Sequence, residues 1–148
     1  SGIGKVPRVR NGDMLRLAPG EPELIDDVPS GRIFKDGAVI GEYDDLGISD
    51  RRKLSFAGHV SVQVLLDNRY EFKSDPLINS IGLPIFDDAG DEIDDVIYDA
   101  VIGAVESIPR VRRKDLSMVQ ESVRRAVRSA VREVWNKKPV ATVFVEKV

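Results

Sequence analysis

The feature that most constrains the fold is a pair of helical patterns enclosed by strand-like runs. Residues 60–66 alternate apolar and polar side chains, as a half-buried strand does, and an extended run follows over residues 77–86. Apolar residues then recur at helical spacing over residues 93–108 and 116–134, and residues 140–145 form a last strand. This order predicts an α+β domain, β-β-α-α-β, in which a small three-stranded sheet carries two antiparallel helices on one face.

The chain before this domain is divided into shorter pieces by turn signals. Residues 1–36 predict short strands with a turn at Asn11-Gly12, and they hold too few apolar residues to bury a core alone. Residues 37–58 are polar and interrupted by glycines, so we predict a linker without a long regular element. The C-terminal α+β domain then covers residues 59–148.

Composition and motifs exclude several classes of function. No apolar run approaches the roughly 20 residues of a membrane span, so no membrane partner is predicted. The absence of Cys excludes disulfides and thiolate metal sites, and it favours a cytoplasmic location. His59 is the single His, and we expect a structural or exposed role for it. Without a nucleophile elbow, phosphate-binding loop or dinucleotide motif, the sequence predicts no catalytic and no metal-binding residue.

Basic residues are concentrated on the second helix and just before it, although the net charge is −3. Arg124, Arg128 and Arg132 recur every four residues, so they lie along one side of that helix, where they can follow the phosphates of single-stranded RNA. The alternative is a solvated face paired with carboxylates such as Glu121. A second basic cluster at residues 51–53 can contact RNA or anchor the linker to an acidic surface. The RNA-contact candidates are Arg51, Arg52, Lys53, Arg110, Arg112, Arg113, Lys114, Arg124, Arg125, Arg128 and Arg132.

The last strand predicts an interface, because its two faces are both rich in apolar residues. Val140, Thr142 and Phe144 share one face, and residues 141, 143 and 145 share the other. Two helices cover only one face of a sheet, so the second face needs another domain or another copy of the chain. Trp135 is a further interface candidate, with packing in the core as the alternative.

Three segments of the chain resemble the ribonuclease J family. Asn11-Gly12-Asp13-Met14-Leu15 is similar to a late strand of a metallo-β-lactamase domain. The segment Asp50-Arg51-Arg52-Lys53-Leu54-Ser55 and the closing strand after Lys138-Pro139 continue the resemblance over nearly the whole chain. The resemblance implies a family of zinc-dependent bacterial enzymes that degrade and mature RNA by 5′-to-3′ exonucleolytic and by endonucleolytic cleavage. It also implies homodimers or tetramers whose C-terminal domain supports assembly and activity.

For this chain, the resemblance implies the C-terminal region of such an enzyme. Residues 1–36 are then the last strands of the metallo-β-lactamase domain, and the chain, which lacks an initiator Met, is expected to be a processed product or a fragment. None of the family's metal-binding motifs occurs here, so zinc is expected in the parent enzyme and no cofactor in this chain. We expect an assembly and stabilising module whose partners are the parent nuclease core and a second copy, with auxiliary contact to single-stranded RNA. The alternative is a dedicated RNA-binding module that uses the arginines of the second helix.

Overall fold

The computed structural model describes residues 8–17 and 19–148. Contacts between residues divide the chain into two units, Ser1–Ile48 and Ser49–Val148. Part of the predicted strand region 1–36, residues 1–7 and 18, lies outside the described residues.

The first unit contains two small antiparallel sheets. Strand β1 (Asp13–Arg16) pairs with β2 (Glu23–Asp27), and β3 (Phe34–Asp36) pairs with β4 (Val39–Gly41). The β3–β4 hairpin turns at Gly37, whose φ of +59° suits a residue without a side chain. All residues of β2 are exposed, which agrees with the expectation that these strands bury no core of their own.

The expectation that residues 37–58 lack a long regular element was wrong. Helix α1 covers Ile48–Ala57. Only Ala57 of this helix is buried, so it lacks the apolar stripe by which a packed helix is recognised in a sequence. Local interactions support it instead, among them an ion pair of 3.1 Å between Lys53 Nζ and Asp50 Oδ1.

Gly58 ends α1 and begins the next strand in a conformation that requires glycine. Its φ is +66°, and a Cβ atom at this position would lie 2.6 Å from the carbonyl oxygen of Ile81. Its N–H donates to the carbonyl oxygen of Leu54 at 2.8 Å, and its own carbonyl accepts from the N–H of Val140 at 3.1 Å. Gly58 thus lets α1 turn directly into the sheet.

After α1, the second unit has the predicted β-β-α-α-β order. Strand β5 (His59–Leu66) is central, β6 (Leu77–Ile81) lies antiparallel to it, and β7 (Val140–Lys147) lies parallel to it. Helices α2 (Ile93–Glu106) and α3 (Leu116–Trp135) contact each other, and they contact β6 and β7 respectively. The predicted α+β fold class is confirmed.

The core lies between one face of this sheet and the two helices. Alternate residues of β5 point into it, and each helix contributes every fourth residue, which is the period of a single helical face. Fully burying each such side chain contributes about 1.5–3 kcal/mol to the free energy of folding. Fully buried members are Val60, Val62, Val64, Leu66, Ile93, Ile97, Val101, Val105, Val119, Val123, Val127 and Val131.

Helix α3 has a defined cap at each end. Asp115 is the N-cap, and its carboxylate accepts the N–H of Met118 at 3.1 Å. Asn136 closes the helix in the left-handed conformation, and its N–H donates to the carbonyl oxygen of Arg132 at 2.8 Å. A short 3₁₀ helix, Arg112–Lys114, lies in the connection from α2 to α3. Within residues 8–17 and 19–148, no helix has the length and apolarity needed to cross a lipid bilayer.

Candidate functional site

The sheet face away from the helices is built from three cross-strand rows. The β5 residues in it are half-buried, whereas Leu77 and Ile81 of β6 and Phe144 of β7 are 66%, 62% and 55% exposed. This surface is called the open face below. Its rows, read from β6 through β5 to β7, are Leu77–Gln63–Phe144, Asn79–Ser61–Thr142 and Ile81–His59–Val140.

The open face is mixed in polarity and carries no formal charge in these rows when His59 is neutral. The prediction of a second apolar face was therefore only partly correct, because β5 places polar side chains at its centre. His59 Nε2 lies 2.9 Å from Thr142 Oγ1, which joins β5 to β7 by a side-chain hydrogen bond. Apolar side chains flank this polar centre, and Glu146 on β7 lies opposite Leu65 in the next row.

Two depressions lie along the open face. One of about 330 Å³ lies along the row of Leu77, Gln63 and Phe144. The other, of about 440 Å³, is lined by His59 and Ile81 together with Leu54 at the end of α1. The open face thus offers concave and apolar surface at both ends of its polar centre.

Trp135, the other interface candidate, is half-buried and packs against the core. The ammonium group of Lys137 lies 4.9 Å from its ring centroid and 4.5 Å from that of Phe56. Lys137 Nζ also donates to the carbonyl oxygen of Phe56 at 3.1 Å. This contact ties the end of α1 to the end of α3, so Trp135 has a packing role inside the unit.

The arginines of α3 divide into two groups. Arg124 forms two hydrogen bonds of 2.7 Å with the Glu121 carboxylate, and Arg125 forms one of 2.8 Å. These bonds from Arg124 and Arg125 lower the pKa of Glu121 from 4.5 to about 2. The alternative of a solvated face paired with Glu121 therefore describes this first group.

The second group, Arg128 and Arg132, has no carboxylate within ion-pair distance in the described part of the chain. Within residues 8–17 and 19–148, Arg128 Nε is the buried side-chain nitrogen or oxygen that lacks a hydrogen-bond partner. A buried, unpaired donor of a charged group is costly, so an acceptor is expected there.

Arg128 lies where two basic pockets meet. The first has a volume of about 320 Å³ and is lined by Lys53, Phe56, Arg124, Arg128 and Lys138, with apolar atoms of residues 139–141. The second, of about 280 Å³, shares Arg128 and Lys138 with the first and adds Arg132. Among the described residues, no Asp or Glu lines either pocket.

One residue of the basic cluster before α3, Arg113, is used inside the fold. Arg113 is 9% exposed, and its guanidinium donates to the carbonyl oxygens of Ile108, Tyr70 and Glu106 at 2.8, 3.1 and 3.3 Å. These bonds fasten the connection between the helices to the loop after β5. Arg113 is therefore occupied by the protein itself.

The remaining RNA-contact candidates lie on the surface. Arg110 forms an ion pair with Glu71, while Arg112 and Lys114 are exposed on the 3₁₀ helix. On α1, Lys53 pairs with Asp50. Arg51 and Arg52 are exposed and already make contacts with neighbouring groups.

No cluster of three or more His, Asp or Glu side chains suited to a metal ion occurs in the described part of the chain. With one His and no Cys in the sequence, carboxylates are the main candidate ligands, and the described ones do not converge in groups of three. His59 lies in β5, and its imidazole forms a hydrogen bond with the Thr142 hydroxyl of β7 inside the sheet.

Sequence reasoning missed three residues that complete the first basic pocket and its surroundings. Phe56 belongs to the unpredicted helix α1, and Lys137 and Lys138 follow α3 without having been among the RNA-contact candidates. The dipeptide Lys137-Lys138 beside Pro139 was a signal for positive charge, but its closeness to Phe56 depends on the tertiary fold.

Comparison with known families identifies the second unit. The sequence model described as the ribonuclease J C-terminal domain matches residues 46–148. The chain belongs to the ribonuclease J family. A ribonuclease J of Sinorhizobium meliloti (strain Sm2011) is 65% identical over 148 residues, which is 100% of this chain and 26% of that protein. A ribonuclease J of Corynebacterium glutamicum (strain ATCC 13032) is 24% identical over 141 residues, which is 88% of this chain and 18% of that protein.

The resemblance to ribonuclease J noted in the sequence is thereby confirmed. The chain spans about a quarter of the length of the first of these relatives and less than a fifth of the second. The ribonuclease J C-terminal domain match begins within the predicted linker and includes α1.

Proposed function

We propose that this chain is the C-terminal part of a ribonuclease that degrades and matures RNA by exonucleolytic and endonucleolytic cleavage, and that a zinc centre elsewhere in the protein performs the cleavage. Support comes from the relatives, which are named ribonuclease J and extend well beyond this segment. The donor set of this chain does not fit a dinuclear zinc site, because such sites need several His and Asp ligands. A cytoplasmic location also remains a prediction.

Within that enzyme, this segment serves assembly, and the open face binds a second copy of the chain. The observation that carries the proposal is the absence of formal charge from the three rows of the open face. In a chain with 32% charged residues, such a face is unusual, and two copies can meet on it without repulsion between like charges. The exposed Leu77, Ile81 and Phe144 supply apolar area for such a contact.

The affinity of this contact is expected to be modest. A standard interface uses roughly 20–30 residues on each side, and the three rows supply fewer. We therefore expect a dissociation constant in the micromolar range, which corresponds to about 8 kcal/mol of binding free energy. Contacts made by the rest of the protein would add to this value.

Sedimentation velocity tests the assembly proposal. The wild-type chain is expected to pass from monomer to dimer as its concentration rises through the micromolar range. Phe144→Glu places a charge in the middle of the contact and is expected to keep the chain monomeric. Val111→Glu is the matched control, since Val111 is 78% exposed and lies outside the open face.

Two outcomes would contradict assembly through the open face. One is a wild-type chain that stays monomeric at every concentration and does not bind the rest of the protein supplied separately. The other is a dimer that Phe144→Glu leaves intact. If the wild-type chain stays monomeric but binds that separate part, and Phe144→Glu abolishes the binding, the occupant is the parent core and the second-copy assignment is wrong.

The second candidate function is contact with single-stranded RNA. The observation that favours it is the pair Arg128 and Arg132, which have no carboxylate within ion-pair distance in the described residues. Replacing Arg124, Arg128 and Arg132 by Glu is expected to abolish salt-sensitive RNA binding, because each lost phosphate contact changes the slope of log affinity against log salt by about 0.7. Binding that is unchanged in this variant would reject the RNA contact.

A direct assay separates these roles from catalysis. Pure protein incubated with 5′-monophosphorylated RNA and zinc or manganese is expected to give no turnover, because the donor set of the chain cannot build a dinuclear site. Metal-dependent cleavage activity that co-purifies with the chain would show that this segment is catalytic and would contradict the proposal.

A further inference from the structure

The first basic pocket combines charge with an apolar wall. Lys53, Arg124, Arg128 and Lys138 line it together with the ring of Phe56, and its volume is about 320 Å³. It lies where the end of α1, the middle of α3 and the start of β7 meet.

The charges that line this pocket are only partly neutralised by the protein. Arg124 is bound by Glu121, and Lys53 is bound by Asp50. Arg128 and Lys138 have no carboxylate within ion-pair distance among the described residues. About two positive charges are thus left for a ligand, which matches an anion with several acceptor oxygens.

The buried Nε–H of Arg128 is the second observation that indicates a ligand. This donor has no partner within residues 8–17 and 19–148, although Arg128 lines both basic pockets. A side chain on an exposed helix face would normally keep such a donor in water. Because Arg128 lines both basic pockets, a small turn of its guanidinium would bring this donor to an acceptor bound in either of them.

The apolar wall formed by Phe56 limits which classes of anion suit the pocket. Phe56 is 66% exposed, and Lys137 lies 4.5 Å from its ring centroid, which holds the ring in place. A lone inorganic anion gains nothing from an apolar wall. A nucleotide unit does, because it joins a phosphate to a sugar and a flat base that packs on aromatic side chains.

We propose that this pocket binds one phosphodiester of single-stranded RNA, with phosphate oxygens accepting from Arg128 and Lys138 and with the adjoining nucleoside against Phe56. The assignment deepens the RNA contact given above as the second candidate function and rests on it. The neighbouring pocket, which shares Arg128 and Lys138 and contains Arg132, receives the next phosphate of the strand.

The test uses the full chain and a short single-stranded RNA oligomer, and it has two readouts. The first is the NMR signal of the guanidinium Nε–H of Arg128, identified by its loss in Arg128→Gln. This signal is expected to shift saturably as RNA is added. The second is the dissociation constant from fluorescence anisotropy at constant ionic strength. Arg128→Gln and Lys138→Gln are each expected to weaken binding roughly tenfold or more, since each removes a hydrogen bond between charged groups.

Arg69→Gln is the matched control, because it removes the same charge from an exposed position on the loop after β5. It is expected to leave the dissociation constant within about twofold, whereas a general charge effect would weaken all variants equally. Circular dichroism of Arg128→Gln verifies that the variant is folded. If it is not folded, Lys138→Gln, at an exposed position, carries the binding test alone.

The outcomes distinguish the pocket from the wider functions. If Arg128→Gln and Lys138→Gln leave RNA binding unchanged, the assignment of RNA to this pocket is wrong while the RNA contact stands. The same holds if the pocket binds an acidic protein segment instead. A shift of the Arg128 signal with inorganic phosphate but not with RNA would overturn the RNA assignment. If the wild-type chain does not bind RNA, the pocket assignment and the RNA contact both fail, and dimerisation measured by sedimentation is unaffected.

Discussion

Replacing Arg113 by Met removes a guanidinium that makes three hydrogen bonds to backbone carbonyl oxygens, and it keeps an apolar stem of similar length. Its guanidinium donates to the carbonyl oxygens of Ile108, Tyr70 and Glu106 at 2.8, 3.1 and 3.3 Å. Leaving a buried acceptor without its donor costs about 1–3 kcal/mol. The expected cost comes from losing the two shorter bonds, because the third is long and its acceptor residue, Glu106, is exposed. We therefore expect Arg113→Met to lower the free energy of unfolding by about 3 kcal/mol.

Urea unfolding followed by circular dichroism measures this loss. With an m-value of about 2 kcal/mol per molar, the midpoint is expected to fall by about 1.5 M. Arg112→Met is the matched control, since Arg112 is the exposed neighbour on the same 3₁₀ helix, and it is expected to change stability by less than about 0.5 kcal/mol. The reasoning is refuted if both variants are equally stable and Arg113→Met instead loses RNA binding.

Three further perturbations test other parts of the fold by urea unfolding. Gly58→Ala is expected to cost about 2–4 kcal/mol, because its Cβ would lie 2.6 Å from the carbonyl oxygen of Ile81 at a φ of +66°; a neutral effect would contradict that geometry. Asp115→Ala is expected to cost about 1 kcal/mol through loss of the bond to Met118 N–H, and Asp115→Asn should retain most of it. Folding lowers the pKa of Glu121 from 4.5 to about 2. Wild type is therefore expected to be more stable than Glu121→Gln above pH 4.5, and this difference is expected to disappear as the pH falls towards 2. A difference in stability that does not depend on pH would contradict the ion pairs.

The elements that pack the core could be predicted from the sequence because burial imposes a period. Val119, Val123, Val127 and Val131 repeat every four residues and are all fully buried. Strand β5 shows the matching alternation. Helix α1 could not be predicted in this way, because Ala57 is its only buried residue and its helical state rests on local bonds.

The two candidate surfaces depend on information that periodicity does not contain. Strand register places Leu77 and Phe144 on either side of Gln63, and nothing in the local sequence fixes that alignment. The arginines of α3 look equivalent in the sequence, yet Arg124 is bound by Glu121, whereas Arg128 has a buried donor that lacks a partner among the described residues. Such differences arise from side-chain packing, so the sequence predicted the basic helix but not which of its charges are available.

The measurement that tests the central claim most directly is cross-linking through a single introduced cysteine. The chain has no Cys, so Ser61→Cys places one thiol in the middle row of the open face and Ser129→Cys places one on the exposed surface of α3. With a short bismaleimide in the micromolar range of protein, Ser61→Cys is expected to give covalent dimers efficiently, and Phe144→Glu in the same chain is expected to abolish them. Equal yields from Ser61→Cys and Ser129→Cys, unaffected by Phe144→Glu, would contradict assembly through the open face.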